Sequence, residues 1–120
     1  MKFPLPWWMP AGAAPEISAT ELQQWLQQQR PLQIVDARSW LEYRQGTIAA
    51  ARHAPLSGMP QSLARLQLEK QVPVLVLCLT GHRSLPGTRW LRRRGYAAYS
   101  LAGGVGSWLR AGYALARPKQ

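Results

Sequence analysis

The residues whose types and spacing could do chemistry stand together in one short segment. Cys78 is the single cysteine of the 120-residue chain, and Arg83 follows it after four residues, one of which is Gly81. A thiolate is a nucleophile, and backbone N–H groups in a tight turn before a helix hold negative charge. An isolated cysteine is more often an inert core residue, but this glycine and arginine favour a nucleophile. The segment therefore predicts a cup of N–H donors that holds an extra sulfur atom on Cys78.

A loop directly after the cysteine is the predicted binding site for the substrate and the persulfide. Its members are Leu79, Thr80, Gly81, His82, Arg83 and Ser84. Gly81 permits an unusual φ and leaves the cup uncrowded, while Arg83 either adds charge to the cup or braces the loop through backbone carbonyls. Three further residues are candidates for a rim around the loop, namely Arg44, Arg52 and His53. We predict no metal ligands and no cofactor.

Alternating strands and helices must position this loop. The apolar run before Cys78 is typical of a buried parallel strand. Strands are expected over residues 32–36, near 52–54, over 73–77 and over 97–101, and helices over 18–30, 40–45, 60–70, 84–94 and 105–111. This order predicts an α/β fold with a central, mostly parallel sheet of about five strands and helices on both faces.

Local signals mark the starts of the first two predicted helices. Residues 18–21, S-A-T-E, fit a capping box. Either Asp36 or Ser39 can cap the second helix. Arg38 and Glu42 stand four residues apart, a spacing that allows an ion pair between them.

Charge and composition narrow the class of partner. Fifteen Lys and Arg residues against five Asp and Glu residues give a net charge of +10, which favours acidic partners. The arginines are scattered over several predicted elements, so we predict a small anion as the partner and not nucleic acid. The chain has no run of ~20 apolar residues that would span a membrane. A single cysteine excludes an internal disulfide, and we expect a cytoplasmic location.

The chain divides into an arm and one domain. Residues 1–15 are predicted to form an irregular N-terminal arm rich in proline and tryptophan, and residues 16–116 to form the domain. Trp7 and Trp8 either fold back over part of the core or remain exposed as a contact for a partner.

Four motifs occur together in the order found in a known family. They are V-D-A-R…E-Y…G-T-I over residues 35–48, A-R-H-A-P over 51–55, C-L-T-G-H-R-S over 78–84 and L-A-G-G…W…G over 101–112. With these motifs, residues 16–113 resemble the single-domain rhodaneses, which are sulfurtransferases. The resemblance implies a rhodanese-like fold and favours the bracing role for Arg83.

The resemblance also implies a reaction, in which the small anion is a sulfur donor. Cys78 would carry sulfane sulfur as a persulfide, from thiosulfate or another donor to a thiophilic acceptor such as cyanide or a thiol. Related phosphatases have five residues between cysteine and arginine, so the four-residue loop here favours sulfur over phosphate. The alternative is a sulfur-relay or protein-docking module with little thiosulfate activity, whose partner would be a thiol protein or a cysteine desulfurase.

Overall fold

A five-stranded, all-parallel sheet forms the centre of the fold. In this computed structural model, which describes residues 7–10 and 12–118, the strands are β1 (Glu16–Ile17), β2 (Gln33–Asp36), β3 (Arg52–His53), β4 (Val74–Leu77) and β5 (Ala98–Leu101). Their order across the sheet is β1-β5-β4-β2-β3, and every pairing is parallel. The predicted α/β fold is confirmed, and Cys78 directly follows the central strand.

Five helices cover the two faces of the sheet. They are α1 (Ala19–Gln27), α2 (Trp40–Gln45), α3 (Gln61–Ala64), α4 (Leu85–Arg93) and α5 (Gly104–Arg110). The predicted capping box at the start of α1 is present, and a second one begins α2, where the Ser39 hydroxyl accepts from the Glu42 N–H. Ser39 and not Asp36 is therefore the cap of α2. Within the described residues, no helix has the length and apolar composition needed to cross a bilayer.

Strand β4 divides the core into two apolar clusters. Its side chains alternate between the two faces of the sheet, as those of any strand do. Leu75 and Leu77 belong to the cluster beneath α1 and α5, and Val74 and Val76 to the cluster beneath α3 and α4. All four have 0% exposure. Burying an aliphatic side chain contributes about 1.5–3 kcal/mol to the stability of the fold. Strand β4 therefore holds the start of the following loop in a fixed position.

The helix predicted over residues 60–70 is much shorter than expected. Helix α3 ends at Ala64, and Gln67 has a φ of +53°, which a right-handed helix cannot contain. Beyond Gln67, the Gln33 side chain binds the backbone of the segment. Its amide group donates to the carbonyls of Glu69 and Val72 and accepts from the Glu69 N–H. A tertiary contact thus overrides the helical spacing of leucines in this segment.

Residues 7–9 of the predicted N-terminal arm are held against α4. The Arg93 guanidinium donates to the carbonyl oxygens of Trp7 and Met9. Trp7 packs against the cluster beneath α3 and α4, whereas Trp8 is 57% exposed. Trp7 therefore folds back over the core and Trp8 is exposed, while a contact of Trp8 with a partner stays a prediction. The predictions for residues 1–6 and 11 lie outside the described residues.

Candidate active site

The loop after Cys78 is clamped to the start of α5. The Val105 N–H donates to the Cys78 carbonyl at 2.7 Å, and the Gly106 N–H donates to the Leu79 carbonyl at 2.9 Å. This close approach requires glycine at position 104, where an added Cβ would lie 2.3 Å from the Cys78 carbonyl oxygen. Gly104, in the G-G pair of the fourth motif, thus allows the loop after Cys78 to pack against the start of α5.

The sulfur atom of Cys78 lies in a ring of three polar contacts. The Gly81 N–H donates to Sγ at 3.0 Å, and the thiol in turn donates to the Ser84 hydroxyl at 3.8 Å. The Ser84 hydroxyl donates to the Gly81 carbonyl at 3.1 Å. Gly81 has a φ of +98°, a conformation that favours glycine. Two members of the predicted loop therefore contact the sulfur, one of them through its backbone.

The thiol itself is fully covered. Cys78 has 0% exposure, and Gly81 and Ser84 are buried around it. By contrast, Leu79 is 43% exposed, and Thr80 and His82 are exposed as well. The sequence interpretation did not anticipate this burial. The sulfur lies directly beneath a surface loop and contacts its polar groups.

Arg83 braces the loop through a partner that the sequence interpretation missed. Its two guanidinium NH₂ groups donate to the two carboxylate oxygens of Glu42, each at 3.0 Å. The hydrogen bonds from Arg83 are the main reason that the pKa of Glu42 falls from 4.5 to about 2. The same bonds raise the pKa of Arg83, with a smaller contribution from the charge of Cys78. Arg83 therefore ties the loop to α2, and not to backbone carbonyls.

The ion pair allowed between Arg38 and Glu42 does not form. Arg38 instead pairs with Asp36, at 2.8 Å between Nη2 and Oδ2, and donates to the Gly46 carbonyl. The Thr47 hydroxyl donates to the same Asp36 carboxylate at 2.9 Å. This buried cluster ties the ends of β2 and α2 together and so supports the helix that carries Glu42.

Each of the three predicted rim residues contacts another residue of this chain. Arg44 lies 5.6 Å from the Trp40 ring centroid, and the Arg52 guanidinium donates to the Leu66 carbonyl at 2.9 Å. His53 contacts the Arg38 carbonyl through Nε2 at 2.7 Å and stacks on the Tyr43 ring. Arg52 and His53 form β3, which is two positions from β4 in the sheet, so its backbone is roughly 10 Å away from β4. Contact of these residues with substrate remains a prediction.

His82 and Thr80 form the outer part of the loop. The Thr80 hydroxyl lies 3.2 Å from Nδ1 of His82, and both residues are exposed. This contact orders the His82 ring on the outer surface of the loop.

A family model matches most of the chain. The model described as the rhodanese-like domain matches residues 18–111. This range includes the motif that contains α2, the motif of the cysteine loop and the G-G pair. The chain belongs to the rhodanese family.

Several sequence relatives are named for sulfur transfer. A protein of Allochromatium vinosum named "Sulfurtransferase" is 30% identical over 105 residues, which cover 87% of this chain and 96% of the relative. A "Thiosulfate sulfurtransferase" of Stutzerimonas stutzeri is 33% identical over 76 residues, covering 62% of this chain and 68% of the relative.

Solved rhodanese structures share the fold. A rhodanese-related protein of Thermoplasma volcanium superposes with a TM-score of 0.76 at 25% identity, covering 85% of this chain and 97% of that one. A rhodanese-like domain protein of Staphylococcus aureus gives a TM-score of 0.71 at 30% identity, covering 78% and 90%. The similarity therefore extends over most of each chain.

Proposed function

We propose that the protein is a sulfurtransferase that carries sulfane sulfur as a persulfide on Cys78. The observation that carries this proposal is the Gly81 N–H, which already donates to Sγ at 3.0 Å within a loop of the rhodanese type. A hydrogen bond from a backbone amide stabilises negative charge on sulfur, as a thiolate or as a persulfide. The names of the relatives support the same class of reaction.

The loop has further donors to offer an anion. Among residues 7–10 and 12–118, the N–H groups of Thr80, His82 and Arg83 have no protein acceptor. The Ser84 hydroxyl adds another donor, because it can rotate from the Gly81 carbonyl towards a sulfur that has lost its proton. These groups would hold the terminal sulfur of a persulfide.

The reaction has two displacement steps. The Cys78 thiolate attacks the outer sulfur of thiosulfate, so that a new S–S bond forms and sulfite leaves with the electron pair of the old bond. An acceptor such as cyanide or a thiolate then attacks the outer sulfur of the persulfide and regenerates the Cys78 thiolate. Such a sequence gives ping-pong kinetics. Because Cys78 has no exposed surface, residues 79–83 must shift before the donor reaches Sγ.

Substitution of the nucleophile tests the proposal directly. After treatment with thiosulfate, the wild-type protein should gain about 32 Da on Cys78, the mass of one sulfur atom. Cys78→Ser should gain nothing and should lose thiosulfate:cyanide transfer. Circular dichroism would show that the variant is folded. Retained transfer by folded Cys78→Ser would refute the mechanism.

A sulfur-relay role is the second candidate, because apolar side chains are exposed on the elements joined by Glu42 and Arg83. On α2, Trp40 is 51% and Leu41 66% exposed, and on the loop Leu79 is 43% exposed. Exposed apolar groups of this size are typical of contacts with another protein. Slow loading from thiosulfate combined with fast loading from a protein persulfide would favour relay over direct use of thiosulfate.

A further inference from the structure

Arg110 occupies an unusual place at the end of α5. Side chains of a helix point back towards its N-terminus and lie over the residue four positions earlier. For Arg110 that residue is Gly106, and Gly103 stands seven positions earlier. Neither glycine has a side chain, so the arginine can extend along α5 towards the loop that follows Cys78.

Two independent distances place the guanidinium beside this loop. A methyl group built on Gly106 would lie 3.3 Å from Nη1 of Arg110 and 3.3 Å from the Leu79 carbonyl oxygen. A methyl group built on Gly103 would lie 3.7 Å from Nη2 of Arg110. Gly103 in turn adjoins Gly81, since a methyl group on Gly81 would lie 3.0 Å from the Gly103 nitrogen. The Arg110 guanidinium and the Leu79 carbonyl oxygen therefore border the same point beside Gly106, and Gly103 lies between the guanidinium and Gly81.

The charge of Arg110 is available to a ligand. The residue is exposed, and no carboxylate within residues 7–10 and 12–118 pairs with it. Arg83, the arginine within the loop, is by contrast already bound to Glu42 through both NH₂ groups. Of these two arginines near the loop, Arg110 is the one whose hydrogen-bond donors remain free for an anion.

We propose that Arg110 binds the anionic end of the sulfur donor and so sets the preference for dianionic donors. This inference rests on the proposed sulfurtransferase function. In thiosulfate, the outer sulfur would face Cys78 while the SO₃ group accepts hydrogen bonds from the guanidinium. The sulfite that leaves carries the same group, so Arg110 also binds the first product. An arginine presents several N–H donors in one plane, which suits such an oxyanion.

The test compares donors of different charge. For Arg110→Gln we expect the KM for thiosulfate to rise about 5- to 20-fold, as for the loss of one charge-assisted interaction. The inhibition constant of sulfite should rise in parallel, whereas the KM for cyanide and the kcat should stay close to wild type. Benzenethiosulfonate carries one negative charge instead of two, so its KM should rise less. Arg110→Lys should be intermediate.

A matched control removes one positive charge elsewhere. Arg94 lies beyond the end of α4, eleven residues after Arg83, which is roughly 15 Å along a helix. Arg94→Gln should change the KM for thiosulfate less than 2-fold. An equal rise of the KM for thiosulfate in both variants would mean that net charge alone causes the effect, and this would overturn the proposal.

The two proposals fail in different ways. If wild-type protein gains no sulfur on Cys78 from thiosulfate or benzenethiosulfonate, the proposed sulfurtransferase function is wrong. If wild-type protein is loaded but Arg110→Gln has an unchanged KM for thiosulfate and an unchanged inhibition constant for sulfite, only the role of Arg110 is wrong.

Discussion

Gly104 shows how a single residue controls the shape of the cysteine loop. It has a φ of +61°, and an added Cβ would lie 2.6 Å from the Leu79 carbonyl carbon as well as against the Cys78 carbonyl. These are backbone atoms, which cannot rotate away as the end of a side chain can. The position therefore requires glycine for two reasons, its backbone conformation and the space around it.

Substitution of this glycine should damage both stability and transfer. We expect Gly104→Ala to lower the free energy of unfolding by about 3 kcal/mol or more, because a strained backbone and a steric overlap add together. Gly95→Ala is the control, since Gly95 also has a positive φ of +93° but nothing lies within 4 Å of the added Cβ. It should cost only about 1–2 kcal/mol. Denaturant unfolding measures the loss of stability in each variant. Equal losses in Gly104→Ala and Gly95→Ala would contradict the steric argument.

At the same scale, the burial of Cys78 does not separate a nucleophile from an inert core thiol. Both are covered, and 0% exposure is typical of a free cysteine in a core. The contacts of the sulfur distinguish them, because Sγ faces the Gly81 N–H and the Ser84 hydroxyl. A core cysteine packed only among aliphatic groups would have neither. The spacing of the motif predicted a polar cup, but its closure over the sulfur depends on how the loop folds.

At the scale of elements, the ion pair between Glu42 and Arg83 connects α2 to the loop. The two residues are 41 positions apart in the chain, so neither helix periodicity nor loop spacing indicates the contact. The same glutamate also completes the capping box of α2 through its Oε1, which accepts from the Ser39 N–H at 3.0 Å. One carboxylate therefore orders both the start of a helix and the cysteine loop.

This pair makes stability depend on pH in the acid range. The pKa of Glu42 is lowered from 4.5 to about 2 in the folded state, so its stabilising effect is complete above pH 4.5 and is lost as the pH falls towards 2. Arg83 is 38% exposed, and after screening by solvent the pair contributes on the order of 1 kcal/mol. Between pH 5 and pH 2.5, the Tm of wild type should therefore fall further than that of Glu42→Gln.

The exposed residue Glu69 provides the control for this measurement. No ion pair of its carboxylate is found within the described residues. Glu69→Gln should keep the steeper, wild-type dependence of Tm on pH. Identical pH profiles for wild type and Glu42→Gln would show that the pair does not stabilise the folded loop.

Elements were predictable from sequence to the extent that local signals determine them. The caps of the first two helices and the apolar run of β4 act within a few residues, and α2 and β4 appear within one position of their expected ends. Helix α1 begins where its capping box predicts but ends at Gln27, three residues before the predicted end at Arg30. The end of α3 depends on Gln33, which is 36 residues from Glu69. Strand β1 was not predicted, because its two residues show no alternation and, unlike the two residues of β3, they are not closed by a following proline.

At the scale of the whole molecule, the net charge of +10 acts on the approach of a donor. An excess of positive charge attracts anions before any contact forms. Salt screens such attraction, with a Debye length of about 10 Å at 0.1 M ionic strength. The global charge therefore contributes to the rate of encounter, whereas Arg110 contributes to binding at the site.

Ionic strength should thus affect the two donors differently. Between ~0.02 M and ~0.5 M salt, kcat/KM for thiosulfate should fall several-fold, and kcat/KM for the monoanion benzenethiosulfonate should fall less. Steady-state assays at constant pH, with a salt whose ions do not react with the persulfide, provide the measurement. An equal fall for both donors would mean that donor charge does not govern the salt effect.

The sequence by itself determined the parallel α/β fold, the place of Cys78 after a central strand and the length of the loop that follows. Those features depend on patterns within short stretches of chain, where hydrophobic spacing and turn residues are read directly. Only the tertiary structure decided that Arg83 binds Glu42, that Arg38 binds Asp36, and that Arg110 extends over two glycines to the loop. The number of charges in a chain is fixed by its composition, but which charges pair and which remain free depends on distances that arise only when the elements pack.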